Sequence, residues 1–140
     1  MKKNKKACLL VDLDGTLALF EGVRDGHDEK KVGEDKVRES VKEVLNRFFD
    51  DYQIIIVTGR RQSCREETMK WLIRHDIPFD EVFMRANDDK RHDYSTKTEI
   101  YKTHIEPKYT VLFVLEDRTR VVAMWRELGL ECWQVAVADY

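Results

Sequence analysis

Short apolar runs alternate with segments of helical spacing along most of this 140-residue chain. Consecutive apolar positions are typical of strands that are buried on both faces of a parallel sheet. Five such runs, the third of them weaker than the others, predict strands at 7–11, 54–57, 81–84, 110–115 and 132–137.

Apolar residues three and four positions apart predict helices between these strands. Their faces are Val37, Val41, Val44, Leu45 and Phe48; Met69, Leu72 and Ile73; and Val121, Met124, Trp125 and Leu128. A further short helix is predicted at 98–104, and Gly129 stands where a helix C-cap is expected. The alternation predicts an α/β fold with a central, mainly parallel five-stranded sheet, in one domain over residues 1–140.

Composition narrows the class of protein. Apolar residues make up 42% and charged residues 37% of the chain, and the net charge of −2 provides no global basic field for nucleic acid. Any contact with nucleic acid should therefore be local. The apolar run before Asp12 has only five residues, too short for a signal sequence or a membrane span. Cys8, Cys64 and Cys132 lack metal-ligand spacing. Their odd count and the apolar neighbours of Cys8 and Cys132 favour buried thiols in a reducing, cytoplasmic compartment over a zinc or redox role. The three tryptophans, at 71, 125 and 133, are expected in the core.

Polar residues follow the predicted strands at the points where these end. They are Asp12 and Asp14, then Thr58, Gly59 and Arg60, and later Glu116, Asp117 and Arg118, with Lys97 expected at the start of a helix. Because the carboxyl ends of parallel strands meet at one edge, these side chains should lie together. Clustered carboxylates suit a hard cation such as Mg²⁺, and this cation and Lys97 would offset their mutual repulsion.

This set of residues favours phosphoryl transfer, in which one carboxylate attacks phosphorus and a second moves protons. Each motif alone has a commoner structural explanation: a turn, a helix cap or a solvated lysine. Their occurrence in order, each at a strand end or helix start, favours the functional interpretation.

The same residues carry a resemblance to a known family. "DLDGT", "IIIVTGR", Lys97 and "VLFVLEDR" resemble the four motifs of the haloacid dehalogenase superfamily. The resemblance implies a three-layer Rossmann-like fold with a minimal cap. It also implies Asp12 as nucleophile, Asp14 as general acid and base, Thr58 as a phosphate-binding hydroxyl and Lys97 as the neutralising lysine. Asp117 and the Asp14 backbone carbonyl would hold Mg²⁺, and the second aspartate favours a phosphatase over a dehalogenase.

A longer stretch, "EDRTRVVAMWRELGLECWQVAVADY", resembles the 3′-phosphatase domain of phage-type polynucleotide kinase/phosphatases. This resemblance implies roles for Arg24, Arg60 and Asp93, and together with Gly59 and Arg118 they form the expected substrate-binding set. No GxxxxGK[ST] phosphate loop is present, so 5′-kinase activity is not expected. Glu116 stands where many members carry aspartate, and we expect it to support the metal site beside Asp117.

The leading hypothesis is a Mg²⁺-dependent 3′-phosphatase that acts on DNA or RNA ends through an aspartyl-phosphate, with a separate kinase or ligase as partner. No large cap insertion follows either of the first two motifs, and the open site this predicts favours a macromolecular end. One alternative is a nucleotide phosphatase with the same motifs. Another, of a different class, is an inactive module that binds phosphorylated ends.

Overall fold

The computed structural model describes residues 5–20, 25 and 28–139, without the side chain of residue 30. Its strands are β1 (Lys6–Val11), β2 (Ala18–Leu19), β3 (Lys36–Val37), β4 (Gln53–Arg61), β5 (Glu81–Arg85), β6 (Tyr109–Arg118) and β7 (Cys132–Ala138). Its α-helices are α1 (Glu39–Phe48), α2 (Arg65–Arg74), α3 (Asp93–Ile100) and α4 (Thr119–Glu127). Short 3₁₀ turns at Glu29–Glu34 and Gln62–Cys64 lie between them.

Five strands form a parallel sheet in the order β5-β4-β1-β6-β7, and β2 pairs with β3 in a small antiparallel ribbon. The central strand β1 is buried on both faces: Leu9 and Val11 pack towards α1 and α2, while Cys8 and Leu10 pack towards the layer of α3 and α4. The five predicted strands and the three-layer α/β fold are confirmed.

Two strands continue past their predicted ends and carry polar residues with them. β4 extends to Arg61 and β6 to Arg118, and the strand register shifts between Thr58 and Arg61 and again between Glu116 and Arg118. Such irregularities re-aim side chains and are common beside functional sites. The residues expected after these strands therefore lie on the distorted ends of the strands themselves.

The helices depart from prediction in two places. Val37 lies in β3, outside α1, because Ala18 pairs with it. The helix predicted at 98–104 begins at Asp93 and ends in a π-helical turn at Tyr101–Ile105, so Lys97 lies inside α3. The early start brings the helix up to the sheet edge where the polar residues collect.

Two predicted core residues are exposed. Trp133 is 46% exposed because β7 is an edge strand, and its ring stacks on Phe113 at a centroid distance of 4.0 Å. Ile73 is 67% exposed, since it lies about 100° round the helix from the buried Leu72 and about 200° from the buried Trp71. Periodicity places a residue on a face but does not show how far the neighbouring layer extends.

Other local predictions hold. Cys8, Cys64 and Cys132 are free and buried, and Gly129 ends the α4 segment with a φ of 84°. Within the described ranges, every helix is too short or too polar to cross a bilayer.

Candidate active site

The loop after β1 presents two carboxylates at the edge of the sheet. The Asp12 N–H donates to the Leu115 carbonyl at 3.0 Å, which extends the β1–β6 ladder by one residue. The Leu13 carbonyl then accepts the N–H groups of residues 16, 17 and 18, and Gly15 adopts a φ of 84° to make this turn. The buried Leu13 anchors the loop in the core, and Asp12 and Asp14 on either side of it line a cavity of about 310 Å³.

The buried ammonium group of Lys97 neutralises the carboxylates of Asp12 and Glu116. Its Nζ lies 2.7 Å from Asp12 Oδ1 and 2.9 Å from Glu116 Oε1, and only 1% of the residue is exposed. Burial alone would lower the pKa of Lys97, but the charges of Asp12 and Glu116 raise it overall. Burial would likewise raise the pKa of Asp12, and Lys97 holds that pKa below its ordinary value. The Asp12 carboxylate is therefore kept ionised.

A group of three buried carboxylates offers a place for a cation. Oxygens of Asp12, Glu116 and Asp117 all lie within 4.8 Å of one another, and Thr16 Oγ1 donates to Asp12 Oδ2 at 2.8 Å and lies 3.2 Å from Asp117 Oδ1. This all-oxygen, carboxylate-rich donor set fits a hard divalent cation such as Mg²⁺. Glu116 Oε1 accepts a hydrogen bond from Lys97 and Oε2 accepts one from the Asp117 N–H, so Glu116 also holds Lys97 and the Asp117 backbone in place.

Burial and the charge of Asp12 raise the pKa of Glu116 well above its ordinary value. The two carboxylates beside Lys97 thus differ: Asp12 carries the negative charge more readily than Glu116. A divalent cation among these oxygens would favour the ionised form of each.

Arg60 lies beneath Asp14. Its Nη2 is 2.7 Å from Asp14 Oδ1 and 3.0 Å from Asp35 Oδ2, and its Nη1 donates to Thr68 Oγ1 at 3.0 Å. The arginine is only 2% exposed, whereas the Asp14 side chain is partly exposed to the cavity. In this arrangement Arg60 orients Asp14, and Asp35 fixes Arg60 from the other side.

Asp93, at the start of α3, joins two arginines from neighbouring strands. It forms ion pairs with Arg85 of β5 and with Arg118 of β6, the latter at 2.6 Å. The Arg85 Nε also donates to the Gly59 carbonyl at 2.9 Å. A Cβ atom on Gly59 would lie 2.6 Å from Asp93 Oδ1, so only glycine allows this close approach.

Thr58 and Gly59, which the sequence predicted at the site, lie at the distorted end of β4. Thr58 is buried, and its hydroxyl accepts the Arg60 N–H at 3.1 Å, while Gly59 and Arg60 form the cavity wall beside it. Arg24 lies outside the described residues. The structure thus brings all the described candidates to one edge, with Lys97 and Thr58 behind the wall and the others lining it.

Three contributors escaped the sequence analysis. Thr16 links two carboxylates through its hydroxyl, and its place in "DLDGT" was the available signal. Asp35 pairs with Arg60, and Arg38 donates from Nε to the Thr16 carbonyl at 2.9 Å and from Nη2 to the Gly15 carbonyl at 3.0 Å. Asp35 precedes the first predicted helix and Arg38 lies at the start of that helix pattern, and the partners of both are more than twenty residues away in sequence.

One protein family and one curated protein match almost the whole chain. The family described as the polynucleotide kinase PNKP phosphatase domain matches residues 6–140. A protein of Autographa californica nuclear polyhedrosis virus, named as a bifunctional polynucleotide kinase/RNA ligase, is 36% identical over 136 residues. That match covers 94% of this chain but 20% of the viral protein.

Solved structures of similar proteins also align with almost the whole chain. Two chains from structures of the Pnkp1/Rnl/Hen1 complex, one of them described as an RNA repair complex, align with TM-scores of 0.93 and 0.94 at 37% and 36% identity. They cover 97% and 99% of this chain, which spans 44% and 49% of theirs.

A haloacid dehalogenase-like hydrolase from Streptococcus pneumoniae shares the fold, with a TM-score of 0.61 at 15% identity over 95% of this chain and 87% of its own. From the family match, the close structural agreement and the site geometry together, we conclude that this chain belongs to the family of PNKP phosphatase domains, with a haloacid dehalogenase-like fold.

Proposed function

We propose that this chain is a Mg²⁺-dependent phosphatase that removes the terminal 3′-phosphate from DNA or RNA ends. The observation that carries the proposal is the meeting of Asp12, Asp14 and Asp117 at one cavity, with Lys97 and Thr58 behind its wall. The family match supports phosphatase chemistry. The names of the relatives, a polynucleotide kinase/RNA ligase and an RNA repair complex, support nucleic-acid ends as the substrate.

In the first chemical step an Asp12 carboxylate oxygen attacks phosphorus. The bond from phosphorus to the 3′ oxygen breaks, its electron pair leaves with that oxygen, and Asp14 in its acid form donates the proton. The strand departs with a 3′-hydroxyl, and Asp12 is left as an acyl phosphate. Lys97, 2.7 Å from Asp12 Oδ1, balances the charge on the nucleophile before attack.

In the second step water replaces Asp12 on phosphorus. The Asp14 carboxylate takes a proton from the water as its oxygen attacks, and the acyl–phosphate bond breaks. Inorganic phosphate leaves and the Asp12 carboxylate is restored. Arg60 holds Asp14 through contacts to both of its oxygens, at 3.1 and 2.7 Å, so Asp14 can serve both steps from one position.

The residues proposed to hold Mg²⁺ are Asp12, Asp117 and the backbone carbonyl of Asp14, with Glu116 as support. When bound, the cation would neutralise charge on the transferring phosphoryl group. Glu116 keeps Lys97 in place, and the Thr16 hydroxyl holds Asp12 through Oδ2. These contacts fix the nucleophile independently of the metal.

Residues at the rim of the cavity favour a polyanionic substrate. Arg61 and Arg91 line it but pair with Glu29 and Asp89, which line it too. Lys90 also lines the rim, and within the part of the chain that the structure describes it has neither a hydrogen bond nor an ion pair. Basic side chains of this kind position nucleic-acid backbones. The contact is local, as the net charge of −2 requires. We further propose a cytoplasmic enzyme that works with a separate kinase or ligase, consistent with its free thiols and with its similarity to a chain of the Pnkp1/Rnl/Hen1 RNA repair complex.

The proposal is tested by phosphate release from a 3′-phosphorylated oligonucleotide, with Mg²⁺ and with EDTA. The expected result is release that requires the metal and is faster than release from nucleoside 3′-monophosphates or p-nitrophenyl phosphate. Release from small substrates alone would instead assign a nucleotide phosphatase. Tight binding of the oligonucleotide without any release would favour the end-binding module.

Gly59→Ala should lower kcat/KM by roughly 10²-fold, the scale of a displacement of about 1 Å in a catalytic group. The new Cβ would lie within 2.6–2.9 Å of three Asp93 atoms, and Asp93 cannot swing away because Arg85 and Arg118 hold it. Steady-state kinetics on the oligonucleotide measure the effect.

Gly33→Ala is the matched control, since its Cβ would meet only Glu67 Oε2 at 3.4 Å. That variant should retain full activity. Wild-type kinetics in Gly59→Ala would show that the contact between β4 and α3 does not position the site.

A further inference from the structure

A groove lined by aromatic and basic residues continues from the catalytic cavity. It shares Asp93 and Arg118 with that cavity, and His92, Tyr94 and Arg120 line the part beyond them. A second depression, which also contacts Tyr94 and Arg120, extends the groove along the seam between α3 and α4. The groove therefore leads directly away from the reacting centre.

His92 presents a flat ring in this groove. The residue is exposed, and its ring lies nearly parallel to that of Tyr94, at a centroid distance of 5.2 Å and an angle of 12°. The start of α3 depends on the His92 carbonyl, which accepts the N–H groups of Ser95 and Thr96, and not on the ring. The ring thus contributes no helix cap and leaves an aromatic surface on which a nucleobase can stack.

Arg120 supplies positive charge on the opposite wall. It is exposed in the first turn of α4, and within the described ranges its guanidinium makes no hydrogen bond or ion pair. Arg118, by contrast, is held by Asp93. Asp139 also lines the groove. Among the described residues that line it, Arg120 is therefore the cation with its donors available for a phosphate.

We propose that His92, Tyr94 and Arg120 form a binding track for the nucleic-acid strand that enters the active site. The inference rests on the proposed function and deepens it. The base of the terminal nucleotide stacks on His92, which Tyr94 supports from its other side. The phosphodiester that joins the last two nucleotides contacts Arg120.

The track predicts how three substrates should differ. p-Nitrophenyl phosphate offers neither contact, a nucleoside 3′-monophosphate offers the base alone, and a 3′-phosphorylated oligonucleotide offers the base and the phosphodiester. Comparing kcat/KM across the three separates the track from the chemistry, because every substrate uses Asp12 and Asp14.

The experiment measures kcat/KM of His92→Ala and Arg120→Gln on these substrates. His92→Ala should lower the values for both nucleotide substrates about fivefold or more relative to p-nitrophenyl phosphate, as loss of one base stack does. Arg120→Gln should affect the oligonucleotide alone and reduce the slope of log kcat/KM against log salt by about 0.7.

His104→Ala is the matched control. Its ring stacks on Phe83 with the same 12° angle at 5.0 Å, but it lies twelve residues further along the same helical segment, roughly 18 Å away. It should match wild type on every substrate.

Two results would overturn the track while the proposed function stands: wild-type ratios in both variants of an enzyme that prefers the oligonucleotide, or an equal loss on all three substrates in His92→Ala. A wild-type enzyme that hydrolyses only p-nitrophenyl phosphate would overturn the proposed function, and the track with it.

Discussion

Asp12→Asn is expected to abolish phosphate release, with a fall of roughly 10⁴-fold or more, the scale seen when a covalent nucleophile is removed. The asparagine amide has nearly the same shape as the carboxylate but cannot form the acyl phosphate. Asp12 is well prepared for attack because Lys97 contacts Oδ1 at 2.7 Å and Thr16 contacts Oδ2 at 2.8 Å. Single-turnover phosphate release from a 3′-phosphorylated oligonucleotide measures the loss.

Asp88→Asn provides the control, since Asp88 is an exposed aspartate in the loop between β5 and α3. That variant should keep wild-type activity. End binding by Asp12→Asn, measured by fluorescence anisotropy, should persist because the rim residues and the proposed track are untouched. Substantial turnover by Asp12→Asn would remove Asp12 as the nucleophile.

Lys97→Met is expected to cost about 3–5 kcal/mol in the free energy of unfolding, together with the activity. Methionine fills similar space but leaves Asp12 and Glu116 as buried carboxylates without the ammonium that lies 2.7 and 2.9 Å from them. Urea-induced unfolding at neutral pH in the presence of EDTA measures the change without any contribution from a bound cation.

Adding Glu116→Gln to Lys97→Met should recover part of that loss, because it removes one of the two buried carboxyl groups that Lys97 no longer compensates. Lys70→Met is the surface control: Lys70 pairs with Glu66 and Glu67 on α2 but is exposed, so its removal should change stability little. Equal effects of the two lysine substitutions would mean that the buried ion pairs do not hold the fold together.

The fold was accessible from sequence because its signals are local. Runs such as Cys8–Val11 and Ile54–Val57 are apolar at every position, and this pattern arises when a strand is buried on both faces. The edge strands of the sheet were harder to predict from the sequence. Trp133 follows the pattern of a core strand yet is 46% exposed, since β7 ends the sheet and the run itself does not reveal what lies beside it.

The residues of the candidate site could be predicted from the sequence, but the contacts between them could not. The polar residues that interrupt apolar runs identified Asp12, Asp14 and Asp117 as a group, because buried strands rarely carry carboxylates without compensation. The sequence did not show that Arg60 would lie under Asp14 with Asp35, nor that Arg38 would hold the loop carbonyls. Those pairings join distant segments and leave no periodic trace.

By itself, then, the sequence determined the order of the five parallel strands along the chain and the chemical types collected at their ends, because both follow from short-range patterning. Only the tertiary structure decided which side chains contact one another. Lys97 meets Asp12 across 85 residues and Glu116 across 19, and it contacts one oxygen of each carboxylate. Such distances in sequence are closed only by packing α3 against the sheet, and this packing turns a set of charged residues into a site.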